Sequence, residues 1–302
     1  MKIPYIEINK RYAKNIGSIK VALPPIDFFL KKIKEKEHFQ YVKHNHGFFD
    51  QVSRHLNEWT SIPDLANRMY PKRYAWQKNV SRAAFVKCVR QTCEDLKGSK
   101  LSYLFIGISD SNGLYGGICP YPSAGRHRKS YQALYSLIKT SNPRPYLLGG
   151  IFRHYVVTGE MKKMFEILKN LDYSVIVVGP KHCQKYRKYI GEFSHVVIPG
   201  SGALESLNSI TQDIQSSLNP NKHNVIFASC ALMSFALGRK MRNGNSCETT
   251  FIDVGRSFDF YLGNDGDSCG QPWLQAHRIG EWKPQVLKIR KGVDCFIKQE
   301  QL

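Results

Sequence analysis

The stretch YSVIVVGPKHCQKYRKYIGEFSHVVIPG, residues 173–200, decides how this chain is read. It opens on an apolar, β-branched run, YSVIVVGP (173–180). A basic segment of helical length, KHCQKYRKYIGEF, follows, and then a second apolar run, HVVIPG (195–200). Strand, helix, strand in that order is the parallel βαβ unit. The alternation continues outward. Upstream lies the helical pattern GEMKKMFEILKNL (159–171). Downstream come LESLNSITQDIQSSL (204–218), the strand NVIFASC (224–230), the helix ALMSFALGRKMRNG (231–244) and the strand TTFIDVG (249–255). The first half adds a short amphipathic helix, PIDFFLKKIKEKEH (25–38), and a strand-like HFQYVK. A helix over 82–97 follows, stopped by Gly98, and then a buried strand from Leu101 to Ile108. The predicted fold class is α/β: a doubly wound, mostly parallel, Rossmann-like sheet with helices on both faces.

The whole-chain totals fit one such domain. The 302 residues are 42% hydrophobic and 23% charged, enough apolar content for a real core. The formal net charge of +20 speaks of partners rather than fold. It favours an anionic one: nucleic acid, a phosphate-bearing substrate or an acidic membrane surface. The alternative is a basic, solvated surface. No helix-turn-helix, RRM or zinc-finger signature is present, so no specific nucleic-acid partner is expected. Eight cysteines, at 88, 93, 119, 183, 230, 247, 269 and 295, form no CxxC pair and no zinc-finger spacing. The opening MKIPYIEINKRYAKN has no apolar h-region, and NVIFASCALMSFALG (224–238) is too short to span a bilayer. A cytoplasmic protein with reduced thiols, soluble or peripherally attached to an anionic surface, is the expectation.

Ligands of open parallel sheets sit beyond the carboxyl ends of the strands. That rule selects five turns: SDSNG (109–113), VGP (178–180), PGSGALES (199–206), ASCA (228–231) and DVGRSFD (253–259). All are small or polar. Free N–H groups around Gly200 and Gly202, ahead of a helix, suit a phosphate, although small residues also serve simply to close tight turns. Neither GxGxxG nor GxxxxGK[ST] occurs, which disfavours dinucleotide and P-loop readings. One further cluster stands out. YVKHNHGFFD (41–50) packs Lys43, His44, Asn45 and His46 beside Gly47 in an apolar frame.

In the order of its segments the chain resembles the GT-D-type glycosyltransferases, small bacterial enzymes that use a nucleotide-sugar donor. The similarity runs from about residue 25 to 263. It is carried by the helix PIDFFLKKIKEKE, then FQYVKHNHGFFD, LFIGISD, VIVVGP, HVVIPGSGALES, VIFASCALMSFALGRKM and FIDVGRSFD. Residues 1–24 and 264–302 fall outside it, as N- and C-terminal extensions. The family carries R-x-G-D-G-E after its first strand. Laid onto this chain, its arginine falls on Lys43, its first glycine on Asn45, its acid on His46, its second glycine on Gly47 and its glutamate on Phe48. The two carboxylates of the family's catalytic centre are absent, and the nearest acid is Asp50. In the family's I-D-I-G-H, Asp253 and Gly255 match while the histidine falls on Arg256.

The resemblance implies a glycosyltransferase moving a sugar from a nucleoside diphosphate such as UDP to a hydroxyl of a glycan or glycoconjugate. It places His46 where a catalytic acid stands, with His44, Asp50 and Asp110 as further candidates; imidazole suits a base near neutral pH. Donor contacts are expected from Lys43, Asn45, Gly179, Pro180, Ser201, Gly202, Ser206, Ser229, Asp253, Gly255 and Arg256. His154, in FRHYVVTGE (152–160), is expected to touch the acceptor or a phosphate. No cofactor is assigned. A Mg²⁺ or Mn²⁺ ion is disfavoured by the loss of its hard oxygen ligands. The competing readings are a catalytically silent relative that binds a nucleotide sugar or glycan, and a basic nucleic-acid-binding protein. The basic loop GRHRKS (125–130) reads as a solvated charge run, with contact to phosphates or an acidic acceptor as the alternative.

Overall fold

The computed structural model describes residues 5–8, 19–22, 24–44, 61, 80–97, 101–108, 146–231, 233–243 and 249–262. Its strands are β1 (Tyr5–Ile8), β2 (Ile19–Ala22), β3 (Gln40–His44), β4 (Leu104–Ile108), β5 (Tyr146–Leu148), β6 (Tyr173–Gly179), β7 (Ser194–Val197), β8 (His223–Ala228) and β9 (Thr249–Asp253). They form one sheet in the order β1-β2-β5-β4-β3-β9-β8-β6-β7. Only the β1–β2 pairing is antiparallel; the others are parallel, so from β2 onward the carboxyl ends share one edge. Strands β3, β4 and β5 spread to one side and β9, β8, β6 and β7 to the other. The halves meet where Gln40 and Tyr41 of β3 pair with Phe251 and Ile252 of β9.

The helices are α1 (Ile26–Lys34), α2 (Arg82–Leu96), α3 (Ile151–Thr158), α4 (Met161–Leu168), α5 (Arg187–Ile190), α6 (Leu207–Ser217), α7 (Met233–Asn243) and α8 (Asp259–Leu262). They cover both faces, as strand alternation shows. Successive strand side chains point to opposite sides of the sheet. In β3, Tyr41 packs its ring against Phe29 of α1 and Phe152 of α3, at 6.2 and 5.0 Å between centroids. Gln40 and Val42, out of phase with it, meet α7: a Cβ built on Gly238 would lie 3.3 Å from Val42 and 3.6 Å from Gln40. Helix α1 buries Ile26, Phe29, Leu30 and Ile33, the stripe that 3.6 residues per turn puts on one face. Helix α2 is capped by Ser81, whose hydroxyl accepts from the Ala84 amide at 3.3 Å. Tilted and edge-to-face aromatic contacts among Phe29, Phe39, Phe152 and Tyr155 fill the space under α1 and α3.

Three elements differ from expectation. The segment after β6 is not one α-helix: Lys181–Tyr186 winds as a 3₁₀-helix, followed by the four-residue α5. The tight turn seats Cys183 against the strand, so that a Cβ on Gly179 would lie 2.6 Å from its Sγ. Arg153 and His154 precede α4 within a further helix, α3, which ends at Gly159 with φ of 80°. Strand β5 and the β1–β2 pair carry no pattern long enough to read, and β2 within the segment 1–24 extends the sheet through β5. Residues 264–302 lie outside the described residues. Among those described, no helix is long and apolar enough to cross a membrane.

Candidate active site

The carboxyl edge is richest where β3 meets β9. Lys43 shares the face of Tyr41, and its Nζ donates to the carbonyl of Val254 at 3.1 Å. The chain turns sharply there. Gly255 has φ of 49°, and a Cβ on it would fall on Lys43 Nζ and 2.5 Å from Cε. Glycine therefore meets two demands at this position: left-handed backbone and close approach of the lysine. The Gly255 amide in turn donates to Asp253 Oδ1 at 2.9 Å. Asp253 is buried, and burial pushes its carboxyl up to about 6 against the opposing pull of Lys43. Burial likewise pushes Lys43 down to about 8, with Asp253 opposing and Arg153 adding to the depression.

Beyond this pair lies a buried carboxylate, Asp259, 1% exposed. It accepts from His182 Nε2 at 3.1 Å and from the Tyr186 hydroxyl, both on the 3₁₀-helix after β6. Its other oxygen accepts from Arg256 Nε at 2.9 Å. The hydrogen bond to Asp259 is the main cause pushing His182 up to about 10, so the imidazole is cationic at neutral pH. Burial, then the Asp259 charge, pushes the Tyr186 phenol far up, so it stays a donor. The turn that carries Arg256 and Asp259 is locked by Phe258, whose ring packs on Phe165, Tyr186 and Phe227 at 5.2–5.6 Å.

The structure thus brings together Lys43, Asp253, Gly255 and Arg256 of the expected site. It does not bring the glycine turn to them. Gly202 has φ of 68°. Ser206, at the start of α6, makes no side-chain cap, and Glu205 beside it accepts from the Ser81 amide. That turn, with Ser201, follows the edge strand β7, four strand spacings from β3, or roughly 19 Å at about 4.8 Å each. Gly179 and Ser229 pack against each other and Cys183: a Cβ on Gly179 would lie 3.2 Å from the Ser229 Cβ. Pro180 opens the 3₁₀-helix.

His44 occupies the opposite face from Lys43. Its ring stacks on Phe235 of α7 at 4.1 Å and 7°, and burial pushes it down to about 3, so it is held neutral. Asn45, His46, Asp50 and Asp110 lie outside the described residues, as does the side chain of His154. His182 and Tyr186 carry no signal in the sequence, and Asp259 stands there only as the acid that ends the matched segment FIDVGRSFD. The 3₁₀-helix reads as an ordinary basic helix.

Among the described residues no group of three or more His, Cys, Asp or Glu side chains is placed to hold a metal ion. Asp259 is taken up by three protein donors and Asp253 by the Gly255 amide, and the neighbouring groups are Lys43, Arg153, His182 and Arg256. Such a set suits an anion instead.

Solved structures share this architecture. One is described as having a distinct glycosyltransferase fold, a highly conserved domain of unknown function 1792. It is 18% identical, with a TM-score of 0.52, covering 84% of this chain and 83% of its own. The chain shares that glycosyltransferase fold. A selenomethionine-substituted structure of the same domain is 20% identical with a TM-score of 0.53 and the same coverage. A third, a new glycosyltransferase of this domain type from Streptococcus sanguinis, is 11% identical with a TM-score of 0.51, covering 80% of this chain and 85% of its own. No family model and no curated protein matches the chain.

Proposed function

We propose that this protein is a glycosyltransferase that takes a sugar from a nucleoside diphosphate to a hydroxyl of a glycan or glycoconjugate. The observation that carries the reading is the cluster of Lys43, Asp253, Gly255 and Arg256 at the carboxyl edge of a sheet with a glycosyltransferase fold. Ligands of such sheets bind at that edge. In the reaction the acceptor oxygen attacks the anomeric carbon, and the bond from that carbon to the diphosphate oxygen breaks. The acceptor proton passes to a base, and the leaving diphosphate gathers negative charge. Arg256, with Lys43 behind it, supplies fixed positive charge for that leaving group, the preorganised electrostatics that transfer chemistry rewards. His46, two residues past the end of β3, is the proposed base; Asp50 and Asp110 are the alternatives.

The test is direct. The protein is incubated with UDP-, GDP- and CDP-sugars and a mixed glycan acceptor pool, and release of nucleoside diphosphate and labelling of the acceptor are followed. Acceptor labelling that depends on one donor supports the reading. A donor that binds without turnover favours the silent relative, a reading motivated by His46 and Phe48 standing where the family keeps its acids.

A further inference from the structure

Asp259 ties the segment after β6 to the segment after β9. Its two oxygens divide the work. Oδ1 is held from the β6 side by His182 and Tyr186, and Oδ2 holds the Nε edge of Arg256. The carboxylate is buried, whereas the Arg256 side chain is 34% exposed, so the arginine runs from the core to the surface of the strand ends. A carboxylate gripping one edge of a guanidinium fixes its plane, and a fixed plane is what bidentate phosphate recognition needs. The anchor is itself immobile: Phe258, fully buried, wedges the turn between Phe165, Tyr186 and Phe227. Among the described residues, the cationic side chains Lys43, Arg153, His182 and Arg256 gather at this edge around the acids Asp253 and Asp259.

We infer that Asp259, gripped by His182 and Tyr186, is a positioning residue that aims Arg256 at the phosphate groups of the donor. The inference rests on the transferase reading for the identity of the ligand, and the geometry above carries the role of each residue. His182 contributes as a cation: the hydrogen bond to Asp259 and one to Cys183 keep it protonated, outweighing burial. Tyr186 contributes as a neutral donor that keeps Asp259 from turning.

The experiment is a double-mutant cycle on the full chain, with inorganic pyrophosphate as probe and calorimetry as readout. Arg256→Ala should weaken pyrophosphate about 10-fold, the loss of one charge-assisted contact. Tyr186→Phe, the mildest change to the grip, should weaken it about 3-fold in the wild-type background and not at all in the Arg256→Ala background. Melting temperatures are recorded on the same samples. A merely structural tyrosine would lower both melting temperatures equally and leave affinity unmoved, which overturns the inference. Equal loss of affinity in both backgrounds, unchanged affinity in Arg256→Ala, or no binding of pyrophosphate by the wild type also overturns it. Sugar transfer measured on the same wild-type sample then tells whether the transferase reading falls with it.

Discussion

Lys43 and Gly255 touch across the seam of the sheet: the lysine Nζ lies where a side chain on residue 255 would begin. Gly255→Ala therefore forces a methyl onto the amine and a non-glycine residue into φ of 49°. We expect the variant to lose about 1–3 kcal/mol by denaturant unfolding and to lose donor affinity as Lys43 is displaced. Wild-type stability in Gly255→Ala would show that the turn yields to a side chain at residue 255 without strain.

His182 makes stability depend on pH in a definite window. Its pKa rises from 6.5 to about 10 on folding, so the folded chain binds more protons between those values. The stabilisation is complete below pH 6.5 and is lost as pH climbs toward 10. Lys43 acts with opposite sign, but only between about 8 and 10.5, and Asp253 titrates lower, at about 6. Between pH 6.5 and 8, urea midpoints of the wild type should fall more steeply than those of His182→Gln, which keeps a donor without the charge. Parallel slopes would contradict the His182–Asp259 pairing.

His44 and His46 should separate into a packing and a reacting residue. His44→Ala removes a ring stacked on Phe235 and should cost roughly 1–3 kcal/mol of stability with little change in turnover per folded molecule. His46→Ala should leave stability near wild type and lower kcat by ~10²–10⁴-fold, the usual loss for a general base. Donor binding, read by thermal shift, should persist. Small, equal effects on turnover would pass the role of base to Asp50 or Asp110.

How much of this was legible differs by element. The strands β6, β8 and β9 announced themselves as apolar, β-branched runs, because strands buried on both faces cannot alternate. Strand β5, three residues long, and the 3₁₀-helix gave no such signal. The cluster Lys43–His44 looked like one reactive wall in sequence. Strand β3 runs through His44, and alternation sends the two side chains to opposite faces, one to the turn at Gly255 and one under Phe235. Asp253, Gly255 and Arg256 were visible from the position of their turn. The role of Asp259 was not, because its partners sit on the 3₁₀-helix, 73 and 77 residues away along the chain.

Metal dependence follows from the donor set. With cationic groups at the edge and neither carboxylate of the family motif at positions 46 and 48, turnover should survive excess EDTA and gain less than about 3-fold from added Mn²⁺. Complete loss in EDTA with full recovery by Mn²⁺ would assign an ion to carboxylates such as Asp50, Asp110 or Asp253.

The carboxyl edge around Lys43, Asp253 and Arg256 is proposed to bind a nucleoside diphosphate. A thermal-shift panel of UDP-, GDP-, CDP- and dTDP-sugars, with the matching free nucleotides, tests it most directly. A ligand that binds only the folded chain adds RT ln(1 + [L]/Kd), about 2.7 kcal/mol at a hundredfold excess over Kd. A rise in melting temperature with one nucleoside diphosphate family, abolished in Arg256→Ala, is expected. No shift with any nucleotide, or the same shift in Arg256→Ala, would contradict it.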